Sequence, residues 1–354
     1  MRKIVCLILA AVLVFSLCAC KAKQAEQADV ESSPSSETAS SAPESSSGAS
    51  SRPEVSEPVS SEESSSEESS SEESSEPSSS SPSSSSASSS KPKPSKPVSS
   101  EYFTKEELTY INSLSGKSQN YWFGTVKDGH NRPNGAMQFQ EKYQDSHNIA
   151  CVAPLNTDGQ KKIYLTFDMG WEYNKNYTIK ILDTLKEKNV KAVFFVTKDY
   201  AKKSSDMVRR MIDEGHIIGN HSVSHPQMAN ISVERMAQEI MGLHNYILEN
   251  FDYEMFLFRA PAGNFSEKVL GAAKTLGYNT VFWSFAYNDW DVNNQPDETK
   301  SYELYMNCLH DGGIFLIHGL SKTNVNILGK VIDDARKKGF EPTLYDFKEA
   351  GTVL

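Results

Sequence analysis

Five short polar stretches of this chain carry side chains able to do acid–base or metal chemistry, and each stands at the end of an apolar run. The first is Lys162-Ile-Tyr-Leu-Thr-Phe-Asp-Met-Gly-Trp-Glu172, where Asp168 follows the alternating apolar residues Ile163, Leu165 and Phe167 and Gly170 turns the chain. The second, Gly219-Asn-His221-Ser-Val-Ser-His225, carries two imidazoles that reach one ion if the segment turns, and neutral imidazole is the commonest transition-metal ligand. In the third, Phe258-Arg259-Ala-Pro261-Ala262-Gly263, Arg259 is suited to pair with a carboxylate, hold it ionised and orient it. The fourth, Phe282-Trp-Ser-Phe-Ala-Tyr-Asn-Asp289-Trp290, sets a carboxylate beside a flat aromatic. The fifth, Ile314-Phe-Leu316-Ile-His318-Gly, has a histidine at the exit of a buried run. Singly, each has an ordinary structural reading. Asp168 ends a strand or caps a helix, the paired histidines lie at the surface, Arg259 precedes a turn, Trp290 fills a core, and His318 is structural. Five such features at five strand ends are much harder to attribute to coincidence.

The elements that must position these groups follow from periodicity. Strand-like runs are expected at 163–168, 191–197, 216–221, 255–260, 279–285, 313–318 and 341–345. Helical patterns fall between them, at 177–188, 205–214, 232–250, 266–276 and 324–338. Ser205, Ser232 and Ser266 stand at expected N-caps, and Gly215, Gly277 and Gly339 just past expected helix ends. Strict β-α alternation implies a parallel sheet, and seven strands fit an incomplete (β/α)7-type barrel better than a full eight-fold one. The sites of such folds are built at the carboxyl ends of the strands, where the five stretches lie. The barrel domain is expected over residues 161–354, with 101–160 as an extension packed on it. That extension opens with Thr104 and Glu107 in capping-box spacing. It continues through the turn-rich Tyr121-Trp-Phe-Gly and Asn131-Arg-Pro-Asn-Gly135, whose three adjacent aromatics need a surface to pack on.

With those residues in view, the chain from about residue 115 to 354 resembles the polysaccharide deacetylases with a NodB homology domain, carbohydrate esterase family four. The resemblance rests on the ordered set Thr166-Phe-Asp168, His221-Ser-x-x-His225, Arg259-x-Pro261, Asp289-Trp290 and Leu316-x-His318. It implies that Asp168 is a general base, that His221 and His225 bind a divalent metal ion (zinc, cobalt and manganese are not distinguished), and that Arg259 positions the base. It further implies that Asp289 tunes a general acid at His318. Trp290 and Leu316 would hold the acetyl methyl, with Ala262 a further substrate contact. The usual family pattern has a second Asp where this chain has Met169, whose thioether is no ligand for a hard cation. Glu172 or a water is left for that position. Asp168-Met-Gly-Trp-Glu172 and the stretch ending in Asp289-Trp290 are similar to the spore-cortex branch, the delta-lactam-biosynthetic muramic de-N-acetylases, which also lacks the second Asp. The implied reaction is removal of the N-acetyl group from N-acetylmuramic acid in peptidoglycan, in cell-wall or spore-cortex modification. The alternatives are an N-acetylglucosamine deacetylase of peptidoglycan or another glycan, an O-acetyl esterase, or an inactive glycan-binding module.

The first hundred residues form no core. Met1-Arg-Lys3 and the apolar run Ile4–Leu17 read as a secretory signal over residues 1–19. Leu17-Cys-Ala-Cys20 resembles a lipobox, with Cys18 where a Ser, Ala or Thr is usual, and implies a lipid anchor on Cys20. Residues 20–100 are Ser, Glu and Pro with almost no apolar content, a composition expected to give a disordered tether with a reach of roughly 50 Å. From Lys21 to Ser100 the tether holds 14 acidic and six basic residues, a balance of −8 out of −10 for the whole chain. The folded part is therefore only mildly acidic, nothing suggests nucleic acid, and no protein partner is implied. The expected location is extracytoplasmic, lipid-anchored and facing the wall. Cys151 and Cys308 remain for the folded region, paired or free.

Overall fold

The computed structural model describes residues 102–156, 159–345 and 347; the expected signal segment, the tether and Cys20 lie outside them. The described chain opens with α1 (Lys105–Ser113), β1 (Gln119–Asn120), α2 (Asn134–His147) and β2 (Ile149–Ala150). The alternating region follows as β3 (Lys161–Met169), α3 (Lys175–Glu187), β4 (Val193–Val196), α4 (Lys198–Lys203), α5 (Ser205–Asp213) and β5 (Ile217–Asn220). It continues as α6 (Val233–Phe251), β6 (Leu257–Phe258), β7 (Asn264–Phe265), α7 (Glu267–Thr275) and β8 (Asn279–Val281). It ends with α8 (Glu298–Asn307), β9 (Gly313–His318), α9 (Lys322–Lys337) and β10 (Phe340–Pro342).

The sheet grows around β3, which pairs in parallel with β4, β9 and β10. From β4 it continues through β5, β6 and β8 to β2, again all parallel. A single bridge from Phe285 to Phe315 brings the chain beyond β8 against β9, so the wall curls into the incomplete (β/α) barrel that the alternation implies. One member was not expected. The sheet has eight strands among the described residues, because the two-residue β2, within the stretch read as an extension, pairs with β8.

Period-two alternation in β3 decides which side chains see which layer. Ile163, Leu165, Phe167 and Met169 pack outward into one core with Ile181, Leu182 and Leu185 of α3 and Val331 and Ile332 of α9. Tyr164 faces the other way, among Val193, Phe195, Leu257, Val281 and Ile314 of neighbouring strands. Thr166 and Asp168 share that inner face, and Thr166 Oγ1 donates to the Phe315 carbonyl at 2.7 Å. A carboxylate thus ends the inner row while Met169, one residue on, belongs to the helix layer.

The caps are mostly where the sequence puts them. Thr104 and Glu107 form a complete capping box on α1, and Ser232 and Ser266 cap α6 and α7 through their side chains. Ser205 differs: it is the first residue of α5, and Ser204 stands at the cap. The segment before β3 is seated by an antiparallel pair, β1 on β7, and by Tyr121, whose N–H donates to Gly263 O (2.8 Å) and whose hydroxyl donates to Trp283 O (2.6 Å). Tyr121, Phe139, Tyr143, Phe265 and Phe282 then close an aromatic cluster with edge-to-face and tilted contacts. Cys151 and Cys308 are both free thiols.

Candidate active site

The register between β3 and β9 pairs Asp168 directly with His318, at the carboxyl end of both strands. Beside them, β5 ends at Asn220 opposite Phe258 of β6, which delivers His221 and Arg259 to the same end of the barrel. Arg259 is wholly buried. Its Nη1 donates to Asp168 Oδ1 at 2.8 Å, its Nε to Val281 O at 3.0 Å and its Nη2 to Phe282 O at 3.1 Å, with the guanidinium 4.1 Å from the centre of the Phe195 ring. Burial alone would raise the Asp168 carboxyl. The Arg259 charge, aided by His221 and His318, outweighs it and holds the pKa below the ordinary carboxylate value. Asp168 is therefore an ionised base with one oxygen committed to Arg259.

His221 and His225 owe their positions to a strained loop. Ser222 and His225 both adopt left-handed backbone (φ 70° and 56°), an arrangement that costs energy in residues other than glycine. Hydrogen bonds hold it. Ser222 N–H donates to Asn220 Oδ1 at 2.9 Å and His225 N–H to Ser222 Oγ at 3.0 Å. The buried Glu239 of α6 accepts from Ser224 N–H (2.8 Å) and Ser224 Oγ (2.7 Å). His221 Nδ1 lies 2.9 Å from the Arg259 carbonyl, which only accepts, so this nitrogen carries the proton. Burial pushes the His221 pKa down to about 4, against the pull of Asp168, and burial also lowers that of His225. Both imidazoles are neutral at ordinary pH, and the bare His221 Nε2 faces Asp168 Oδ2 at 3.6 Å. That bare nitrogen, with the His225 ring alongside (ring centres 4.9 Å apart), suits a divalent cation held by the two imidazoles. Among the described residues, no three His, Cys, Asp or Glu side chains converge into a full ligand shell.

Neither Met169 nor Glu172 supplies a third ligand. Met169 is packed outward, so close to Gly319 that a Cβ there would come within 2.4 Å of its sulfur. Glu172 turns away and accepts from Ser204 Oγ (3.0 Å) and Thr178 Oγ1 (3.3 Å), tying the loop after β3 to the helices beside it. The idea that Glu172 replaces the missing carboxylate is thereby corrected.

On the acid side, Asp289 is fully buried and bonds His318 twice, through Nδ1 (2.7 Å) and the backbone N–H (2.8 Å). Burial would lower the His318 pKa, but Asp289 more than reverses this and raises it. The sequence did not single out Asn324 of α9, whose Nδ2 donates to Asp289 Oδ2 at 2.6 Å while its Oδ1 accepts from Tyr305 and Tyr287. It is a positioning residue, found only once α9 is packed beside the strand. Asp168, His221, His225 and His318 open into one cavity of about 460 Å³, walled also by Ala262, Trp290 and Leu316. The site residues expected from sequence thus converge on one site, with Arg259 and Asp289 directly behind it. Trp122, Trp171 and Trp283 line the same cavity, and no pattern in the chain marks them for it before the strands and loops are packed.

Such an array provides a base, an acid, paired neutral imidazoles and an apolar wall, the requirements of amide or ester hydrolysis. A family model described as polysaccharide deacetylase matches residues 155–281. The peptidoglycan-N-acetylmuramic acid deacetylase PdaA of Bacillus subtilis is 40% identical over 187 residues, 52% of this chain and 70% of that protein. An uncharacterised 30.6 kDa protein of Geobacillus stearothermophilus is 38% identical over 224 residues, 62% of this chain and 81% of its own length. The solved structure of Bacillus subtilis PdaA, a family 4 carbohydrate esterase, superposes with a TM-score of 0.60 at 34% identity, covering 67% of this chain and 98% of that one.

Proposed function

Because this chain belongs to the polysaccharide deacetylase family, the carbohydrate esterases of family four, we propose that it hydrolyses the N-acetyl group of N-acetylmuramic acid residues in peptidoglycan. The supporting observation is one cavity in which an Arg-held carboxylate, Asp168, stands beside an Asp-held imidazole, His318. Their environments push the two pKa values apart, so one group is ready to take a proton while the other is ready to give one. The choice of muramic acid is supported by the likeness to the Bacillus subtilis deacetylase and by the Asp168-Met-Gly-Trp-Glu172 pattern.

In this mechanism Asp168 takes a proton from the attacking water through Oδ2, the oxygen that Arg259 leaves available. Leu316 and Trp290 seat the acetyl methyl. His318, whose Nδ1 is engaged by Asp289, gives the proton at Nε2 to the departing nitrogen, so that the C–N bond breaks to acetate and an amine. A divalent cation held by His221 and His225 would polarise the acetyl oxygen and acidify the water. Arg259 and Asn324 keep base and acid in register throughout. The signal-like Met1–Leu17 run, the lipobox-like Leu17-Cys-Ala-Cys20 and the Ser/Glu/Pro tether support action outside the cytoplasm, on wall or cortex glycan within reach of a lipid anchor.

The test is acetate release by the purified protein from peptidoglycan and from chitin oligomers, with zinc, cobalt, manganese or a chelator, followed by identification of the deacetylated sugar. Metal-stimulated release with muramic acid as the product is expected, and Asp168→Asn or His318→Ala should each abolish it with the fold intact. Release mainly from chitin oligomers would move the assignment to N-acetylglucosamine. Glycan binding without turnover at any metal would leave only a binding module.

A further inference from the structure

All four tryptophans of the chain line the catalytic cavity. Trp283 is buried, its ring 5.7 Å from the Arg259 guanidinium. The other three lie in water over much of their surface: Trp122 is 61% exposed, Trp171 52% and Trp290 54%. Three separate segments supply them: the loop between β1 and α2, the turn after β3 and the loop after β8. Exposed indoles forgo the stabilisation that burial of so large an apolar surface brings, and their gathering on one cavity rim marks a surface meant to be covered.

The platforms are also fixed in place. Trp122 follows Tyr121, whose backbone and hydroxyl are both bonded to the barrel, and it leans on Phe123 with ring centres 4.4 Å apart. Trp171 lies between Gly170, whose carbonyl accepts from Thr197 Oγ1, and Glu172, bonded to Ser204 and Thr178. Rigid aromatic surfaces lose little freedom on binding. Among the described residues no Lys or Arg lines the cavity. A sugar ring suits such a wall: one face presents C–H groups to an indole while its edge hydroxyls stay in water.

We propose that Trp122 and Trp171 are stacking platforms for sugar units neighbouring the one seated between Asp168 and His318. The segment before the barrel is then part of the substrate site. This rests on the deacetylase reading for the central subsite only. The experiment measures kcat and KM for acetate release from peptidoglycan glycan fragments of increasing length, using the full chain and its Trp122→Ala, Trp171→Ala and Trp122→Tyr variants. The alanine variants should lose affinity in KM more than in kcat, with a loss that grows with fragment length to about tenfold, the equivalent of 1.4 kcal/mol. Trp122→Tyr should recover most of it. A loss equal at all lengths, or none, would overturn the proposal. If the parent protein releases no acetate from any fragment, the deacetylase reading falls. Quenching of indole fluorescence by the same fragments, weakened in Trp122→Ala and Trp171→Ala, would then still support the platforms, and its absence would remove them as well.

Discussion

Replacing Arg259 by methionine puts the electrostatics of the site under direct test. Methionine fills much of the same volume but makes none of the three bonds to Asp168, Val281 and Phe282. Two buried carbonyls lose a donor and a buried carboxylate loses its cation, a change that costs about 3–5 kcal/mol. The cost depends on pH. In the parent the folded pKa of Asp168 lies below its unfolded value, so its contribution is complete above the unfolded pKa and is lost as pH falls through the folded one. In the variant burial acts without the guanidinium; His221, neutral above a pH of about 4, does not replace it, and the partial help of His318 is lost as that imidazole gives up its proton with rising pH. The folded pKa then rises above the unfolded value, and the variant becomes less stable as pH rises through that interval. Denaturant unfolding with a chelator present should therefore show a larger deficit against the parent near pH 8 than near pH 5. Activity should move the other way. Acetate release near neutrality falls by about 10²-fold or more, since the base is protonated, and recovers as pH rises. A deficit independent of pH, or one below about 1 kcal/mol, would refute the assignment of Arg259 as the group that keeps Asp168 ionised.

Asp289→Asn removes the charge that raises the His318 pKa, so the alkaline limb of the kcat/KM profile should move to lower pH, while the acid limb set by Asp168 stays nearly in place. His225→Ala should weaken binding of zinc or manganese by about 10-fold or more in a direct titration of the protein, with the unfolding midpoint in chelator little changed. Gly312→Ala should destabilise without touching the site: φ is +78° and a Cβ would meet the Ala153 carbonyl oxygen at 2.2 Å. The backbone strain alone is about 1–3 kcal/mol, read as a fall in Tm of about 2–4 °C for each kcal/mol.

Much of the site was legible because its residues end strands whose apolar alternation is strong. Ile163, Leu165 and Phe167 announce β3, and Asp168 at its end then has only one useful place to be. What stayed hidden has physical causes. A strand of two residues such as β2 carries no period to detect, and its membership of the sheet depends on β8. Helix α2 has its few apolar residues (Met137, Phe139, Tyr143) just after a turn-rich stretch, so tertiary aromatic packing decides it more than propensity does. Helix α8 has a capping Asp297 after Pro296, but its buried face of Ser301, Tyr305 and Met306 leaves little apolar period to read. Asn324 is indistinguishable from any polar residue on α9 until its contact with Asp289 is known. Met169 was recognised as unsuited to a metal, but only the pleat of β3 explains where its side chain goes.

The pairing of β3 with β9 has a consequence for how the protein comes into being. Thr166 reaches Phe315 across 149 residues, and the Asp168–His318 rung is formed by the same two strands. During synthesis, therefore, the central strand is complete long before its neighbour exists, and one of its hydrogen-bonding edges stays unpaired while helices α3 to α8 are added. Non-local pairing of this kind folds slowly and leaves an apolar edge available to other chains. The nascent polypeptide holds its base from the start but has no acid to match it. Hydrolytic competence arrives only with Gly313–His318, in the same event that pairs the open edge of β3.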